Sequence, residues 1–187
     1  MQQYGKWFFI GVLGIGGVLA AAAVAAAVLA CAPSRNGPDP APPELPDGTD
    51  PVPITEIESL FFSERGSAVQ EISAIEFVRA DEGTLVRLEL RNAYTYEQQE
   101  DAAVLDEVEK ILTACEVGNW NGFHGSDPEV LDGTGFSLYI RFTDGTTLSA
   151  GGTNRFPARY TEVRQALNGL TDSAYAAWLQ TPEGQGG

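Results

Sequence analysis

The sequence predicts an α+β fold, with an antiparallel sheet of about four to five strands and helices packed on one face of it. Two observations lead to this prediction. The runs at 85–91 and 136–142 alternate apolar and polar residues, the period of a strand with one buried face. Between them, apolar residues recur at the spacing of an amphipathic helix: Val104, Val108, Ile111, Leu112 and Cys115.

The first half of the domain begins with two predicted strands, at 54–62 and 73–78. A turn that ends in Gly83 joins the second strand to the strand at 85–91 as a hairpin. A helix is predicted from Thr95, because Thr95 and Gln98 have the spacing of a capping box.

Cys115 lies on the apolar stripe of that helix, so it is interpreted as a small core residue. The other cysteine, Cys31, ends the leader. From these positions, the two cysteines are not expected to be bonded to each other.

The second half repeats the plan. The strand at 136–142 turns back through Thr143–Thr146 into a strand at 147–150. The segment 77–84 resembles 139–146, which raises the possibility of a duplicated ββα unit. Two further helices are predicted, the first starting at Pro157 and the second spanning 172–179.

The amino-terminal segment 1–30 has the properties of a signal peptide or membrane anchor. Trp7 to Ala30 carry no charged side chain. As a helix this run would be about 36 Å long, enough to cross a hydrocarbon core of about 30 Å. Lys6 precedes the run and acidic residues follow it, which predicts that the remainder of the chain lies outside the membrane.

The apolar segment ends in Val28-Leu29-Ala30-Cys31. This sequence resembles the lipobox of bacterial lipoproteins. The resemblance implies that the Cys31 thiol is acylated with diacylglycerol and that the leader is removed in front of it. Two alternatives stay open: helix 7–30 is retained as a membrane span, or the leader is cut as an ordinary secretory signal.

Segment 31–53 is rich in proline and acidic residues, so it is predicted to be an extended stalk. The predicted domain spans 54–180, and 181–187 is predicted to be disordered.

Charge excludes one class of partner. The 187-residue chain has a formal net charge of -15, and every acidic residue follows Cys31. Such a surface repels phosphate backbones, so nucleic acid is not expected as a partner.

Metal and cofactor motifs are absent from the sequence. His124 is the only histidine, and it cannot complete a structural zinc site with so few cysteines. The acids Asp127, Glu129 and Asp132 lack the spacing of a calcium loop. We therefore predict no metal, no cofactor and no catalytic residue. A hydrolase that uses His124 is kept as the less favoured alternative, because no G-x-S-x-G motif accompanies it.

A second resemblance covers roughly the last third of the domain. Trp120, Gly122, Phe123, the run 131–133 and the block 136–160 are similar to a domain that recurs in uncharacterised secreted proteins and lipoproteins of Gram-positive bacteria. The resemblance implies a bacterial protein on the outer side of the cell membrane. It implies no functional residue.

Aromatic, amide and guanidinium groups concentrate in the second half of the domain, and these are the groups that stack on sugars or grip peptides. The sequence therefore predicts a membrane-anchored extracytoplasmic binding module for an envelope glycan or peptide. Two other interpretations stay open: these aromatics fill the core, or the protein is a structural envelope component without a ligand. The predicted ligand-binding residues are Trp120, Phe123, Tyr139, Asn154 and Arg155.

Overall fold

The computed structural model describes residues 50–66, 71–90, 94–127 and 133–185. The predictions for segment 1–30, Cys31 and most of the stalk fall outside these ranges. In chain order the described elements are β1 (Ile57–Arg65), β2 (Ile72–Ala80), β3 (Gly83–Leu90), β4 (Tyr94–Glu100), α1 (Ala103–Ala114), a 3-10 turn (Val117–Trp120), β5 (His124–Ser126), β6 (Gly135–Phe142), β7 (Thr147–Thr153), α2 (Tyr160–Leu170), α3 (Asp172–Trp178) and α4 (Pro182–Gln185).

The strands form one sheet in the order β4-β3-β2-β1-β6-β7-β5. The hairpins β2–β3 and β6–β7 flank the central strand β1, and all of these pairings are antiparallel. β5 joins the edge of β7 in parallel. The α+β class is thus confirmed, but the sheet has seven strands, and β4 and β5 are the two that the sequence analysis did not find.

The helix predicted to begin at Thr95 is wrong. Residues 94–100 form β4, which pairs with β3 along its whole length, and α1 begins only at Ala103. Half-buried Tyr96, Gln98 and Glu100 alternate with exposed neighbours. The edge of β3 therefore overrides a local pattern that would also suit a helix start.

One face of the sheet is buried and the other is not. On the buried face lie the inward residues of β3 and β6, as their alternation predicts, together with Leu60 and Phe62 of β1. They form one core with the apolar stripes of α1 and α2. The outward residues of the strands are exposed or half-buried, which leaves an open face.

Phe136 is the centre of an aromatic cluster at the end of the core. Its ring centroid lies 4.8 Å from that of Tyr160, 5.8 Å from Phe156, and 6.3 Å from both Trp120 and Phe123. Because these rings come from β6, α2 and the connections on either side, the cluster holds the loops of the second half onto the sheet.

The carboxyl end of the domain differs from its prediction. Pro182–Gln185 forms the short helix α4, where disorder was expected. Thr181 begins it: its hydroxyl accepts a hydrogen bond from the Gly184 amide at 3.2 Å, and its carbonyl accepts one from Gln185 at 3.1 Å. A threonine in this position satisfies amides that a helix start leaves unpaired.

Cys115 lies where its stripe predicts, just after α1 and 1% exposed. It is, however, disulfide-bonded, which corrects its interpretation as an unpaired core thiol. Helical spacing reports the face on which a residue lies, but pairing depends on distances that spacing does not contain.

The chain enters the domain beside the end of α1. The Val52 amide donates to the Gly118 carbonyl at 3.1 Å, and the Asn121 side-chain amide donates to the Asp50 carbonyl at 3.2 Å. A Cβ on Gly118 would collide with the Val52 carbonyl oxygen. Glycine at this position thus permits two backbone segments to touch.

A buried polar contact links β1 to α2. The Tyr160 hydroxyl donates to the buried Glu64 carboxylate at 2.6 Å, and Arg164 Nη1 lies 3.6 Å from the same oxygen. Burial, followed by the hydrogen bond to Glu64, raises the pKa of the Tyr160 phenol far above its usual range.

Replacing Tyr160 with Phe is expected to lower the free energy of unfolding by about 1–3 kcal/mol, because Glu64 then loses a buried donor. The exposed hydroxyl of Tyr139 is the matched control, and Tyr139→Phe is expected to change stability by less than about 0.5 kcal/mol. Urea unfolding of both variants measures the difference. Equal effects would contradict a structural role for the Tyr160–Glu64 contact.

The same phenol predicts a pH dependence. Above pH of about 10, an unfolded chain ionises Tyr160 while the folded chain keeps it neutral, so unfolding releases a proton. The contribution of Tyr160 is therefore complete below that pH and is lost as pH rises further. Unfolding titrations from pH 8 to 11 should show a steeper loss for the wild type than for Tyr160→Phe, by up to about 1.4 kcal/mol per pH unit. Identical slopes would contradict the prediction.

Trp120 is expected to be essential for stability. It is 1% exposed and packs against Phe136 and Tyr160, so Trp120→Ala should cost about 3–5 kcal/mol. Thermal unfolding monitored by circular dichroism checks this expectation, with Tyr139→Ala as the exposed aromatic control. A Trp120→Ala protein as stable as the control would show that the cluster does not hold the loops.

Candidate functional site

The five predicted ligand-binding residues do not form one surface. Trp120 is 1% exposed and Phe123 is 7% exposed, so both are core residues with almost no area for a ligand. Tyr139 is 45% exposed on the open face. Asn154 and Arg155 follow β7, and the Arg155 carbonyl lies over the buried-face side of Gly152.

The burial of Trp120 and Phe123 has a simple cause. Both rings approach Phe136, and the 3-10 turn before Phe123 directs the loop inward rather than outward. The interpretation that loop aromatics fill the core is therefore confirmed for Trp120 and Phe123. Phe156 is intermediate: it stacks on Tyr160 and stays 36% exposed.

Tyr139 belongs to a row of side chains that crosses the open face. Cross-strand partners share a face of a sheet, so the register defines this row directly. From β4 at one edge of the sheet to β7, it contains Glu97, Arg87, Glu76, Phe61, Tyr139 and Ser149.

The two halves of this row differ in charge. On one side Arg87 lies between two carboxylates, with Nε 2.6 Å from Glu97 and Nη1 in contact with Glu76. The hydrogen bond to Glu97 raises the pKa of Arg87 further above its already high value. On the other side the row ends in Phe61, Tyr139 and Ser149, which carry no charge. The charged groups of one half of the row are thus engaged in ion pairs with each other, and the uncharged half is free to contact a ligand.

Beside Tyr139, the open face contains a groove of about 390 Å³. Ser149, the direct partner of Tyr139, contributes to its wall. The residues that line it come from the ends of β1, β5, β6 and β7: Arg65, His124, Gly125, Ser126, Phe136, Ser137, Ser149, Ala150, Gly151, Gly152 and Thr153.

Gly151 explains why the groove exists. The register places it between His124 and Ser137 in one row of the open face. A Cβ built on Gly151 would meet a single atom within 4 Å, the Phe136 carbonyl oxygen at 3.4 Å. Because the strand position is bare and the space above it is open, the floor of the groove is backbone and its walls are side chains.

The chemistry of the groove is that of a site for a hydroxyl-rich ligand. Ser126, Ser137 and Ser149 offer hydroxyls, His124 offers an imidazole and Arg65 a guanidinium. Among the residues that the structure describes, the lining includes no carboxylate. Tyr139 pairs across the strands with the lining residue Ser149 and is exposed, so its ring offers an aromatic surface next to the groove.

The described residues of the groove do not form an assembled hydrolytic triad. His124 and Ser126 lie on the same side of β5, since they are two residues apart in a strand. Within the described ranges, His124 makes no hydrogen bond to a serine or to a carboxylate that would orient it.

Two further properties concern only the part of the chain that the structure describes. It contains no group of three or more His, Cys, Asp or Glu side chains placed to bind a metal ion. In this part, no helix is both long enough and apolar enough to cross a membrane.

Comparisons of the chain with protein-family models, with curated proteins and with solved structures find no match. The resemblance to Gram-positive secreted proteins and lipoproteins therefore stays a prediction, as do the lipobox and the outer location.

Most of the groove could not be predicted from the sequence. Alternation in β6 and β7 does assign Ser137, Tyr139 and Ser149 to the outward face, so these three could have been found. His124 could not, because β5 has only three residues and joins the sheet through a parallel edge pairing that leaves no periodic signal.

Proposed function

We propose that this protein is a membrane-anchored extracytoplasmic binding module that holds a neutral glycan of the bacterial cell envelope in the groove of its open face. The observation that supports this proposal most directly is the groove at Gly151, where the strand has no side chain. Serine hydroxyls line this groove, and the exposed Tyr139 lies beside it. A flat strand surface has become concave at the point where an aromatic ring borders it, and concavity is typical of ligand sites.

The electrostatics favour a neutral glycan over the alternative ligand, a basic peptide. A basic peptide needs carboxylates, but the carboxylates of the row are bound to Arg87, and the described residues that line the groove include none. An anionic polymer would meet a chain with a formal net charge of -15. A neutral ligand with many hydroxyls meets neither obstacle.

The location follows from the amino-terminal sequence. The uncharged run 7–30 after Lys6 directs the domain to the outer side of the membrane, where envelope glycans are found. The membrane attachment is either helix 7–30 or a lipid on Cys31. No nucleic acid, metal or cofactor is part of the proposal.

A hydrolase is the second candidate, because His124 and serines line the same groove. It would require that ligand binding bring His124 to a serine and to a carboxylate. The less specific possibility, a structural envelope protein, has no use for a bordered groove.

Filling the groove tests the proposal. Gly151→Val places a β-branched side chain at a strand position where the added Cβ has room, so the protein should fold and its Tm should change little. We expect this variant to bind a soluble, neutral N-acetylhexosamine oligosaccharide at least about tenfold more weakly than the wild type, as a blocked site requires. Isothermal titration calorimetry measures the affinity.

Thr95→Val is the control, since it introduces the same residue type at an exposed position of β4, at the opposite edge of the sheet. Tyr139→Ala should also weaken binding, because it removes the stacking ring. If Gly151→Val binds as the wild type does, or if the wild type binds no neutral oligosaccharide, the binding proposal is wrong. Release of reducing ends that is abolished in His124→Ala would establish the hydrolase instead.

A further inference from the structure

The bonded state of Cys115 restricts how the chain is attached to the membrane. Cys115 is buried directly after α1, and it is disulfide-bonded. The sequence has two cysteines, so a bond within the chain requires Cys31. We propose that Cys31 and Cys115 form an intrachain disulfide, that Cys31 consequently carries no lipid, and that helix 7–30 is the membrane anchor.

The path of the chain into the domain supports this pairing. Asp50 and Val52 are hydrogen-bonded to Asn121 and Gly118, so the stalk meets the domain only a few residues from Cys115. From there back to Cys31 the sequence spans about twenty residues rich in proline, which reach about 60 Å when extended. This length allows the segment to fold back, so that the Cα atoms of Cys31 and Cys115 can reach the separation of about 4.4–6.8 Å that a disulfide requires.

The proposed extracytoplasmic location supplies the oxidant that this disulfide needs. The two thiols lose two protons and two electrons as the sulfur–sulfur bond forms. Both electrons pass to an exported thiol–disulfide oxidant, whose own disulfide is reduced to a dithiol. Such oxidants act outside the cytoplasm, where structural disulfides form and persist. The Cys115 sulfur is buried at the end of α1, so a reductant cannot attack the proposed bond at that atom.

Lipidation and disulfide formation exclude each other at Cys31. A diacylglycerol thioether uses the same sulfur atom that the disulfide needs, so one molecule can carry one modification or the other. The disulfide also changes the role of segment 31–53. Instead of a stalk that holds the domain at a distance, it becomes a closed loop, and the end of helix 7–30 is bound to the carboxyl end of α1.

Mass spectrometry of the full chain, extracted from membranes with detergent, tests the pairing. The denatured chain is treated with iodoacetamide before and after reduction. We expect no adduct before reduction, two adducts after it, and peptides from residues 7–30 in the digest. Any of three outcomes would overturn the proposal: a diacylglycerol mass on Cys31, alkylation of Cys115 without reduction, or a reducible dimer, which would mean that the bond joins two chains.

The variant Cys31→Ser gives an independent readout that leaves the core residue in place. We expect its Cys115 to take one iodoacetamide in the unreduced, denatured chain, and its Tm to fall by about 5–15 °C because a constraint on the unfolded chain is lost. Ser34→Ala, three residues along the same segment, is the control and should match the wild type in both respects. An unchanged Tm for Cys31→Ser, together with loss of a lipid mass, would overturn the proposal. None of these outcomes depends on what the groove binds.

Discussion

The contacts of Phe136 are the constraint on which the second half of the domain depends. This single inward residue of β6 contacts aromatic rings from the 3-10 turn, the residue before β5, the connection after β7 and the first turn of α2. Aromatic pairs contribute stability beyond the area they bury, and four such contacts at one residue make the surrounding loops part of the core. The loops that look most functional in sequence are therefore structural.

That burial determines where a site can be. Once the loop aromatics pack inward, the surface left to the second half is the open face of the sheet, together with the strand ends that border it. Because Gly151 has no side chain, the surface there lies at the level of the backbone, while the backbone pairing of β7 is kept. The buried aromatic cluster and the strand position without a side chain, Gly151, thus lie on opposite faces of the same sheet.

The parts of this structure that sequence predicts are those with a strong local period. The hairpins at 72–90 and 135–153, the stripe of α1 and the outward side of Tyr139 all follow from alternation or helical spacing. β4 was mistaken for a helix because its capping pattern is local, whereas its pairing with β3 is not. β5, the bonded state of Cys115 and the burial of Trp120 each depend on contacts between distant segments, and periodicity carries no information about them.

The proposed disulfide determines where a pull from the membrane would enter the domain. With the bond formed, tension on helix 7–30 would pass through Cys31 to Cys115 at the end of α1, and the contact between Val52 and Gly118 would carry none of it. With the bond reduced, the same tension would reach the domain at the Val52–Gly118 contact, just before β1. β1 is the central strand and is hydrogen-bonded on both sides, to β2 and to β6. A pull along its length would load both ladders at once in shear, so many hydrogen bonds would share the force. Reduction would thus transfer the load from the end of a helix to the central strand of the sheet.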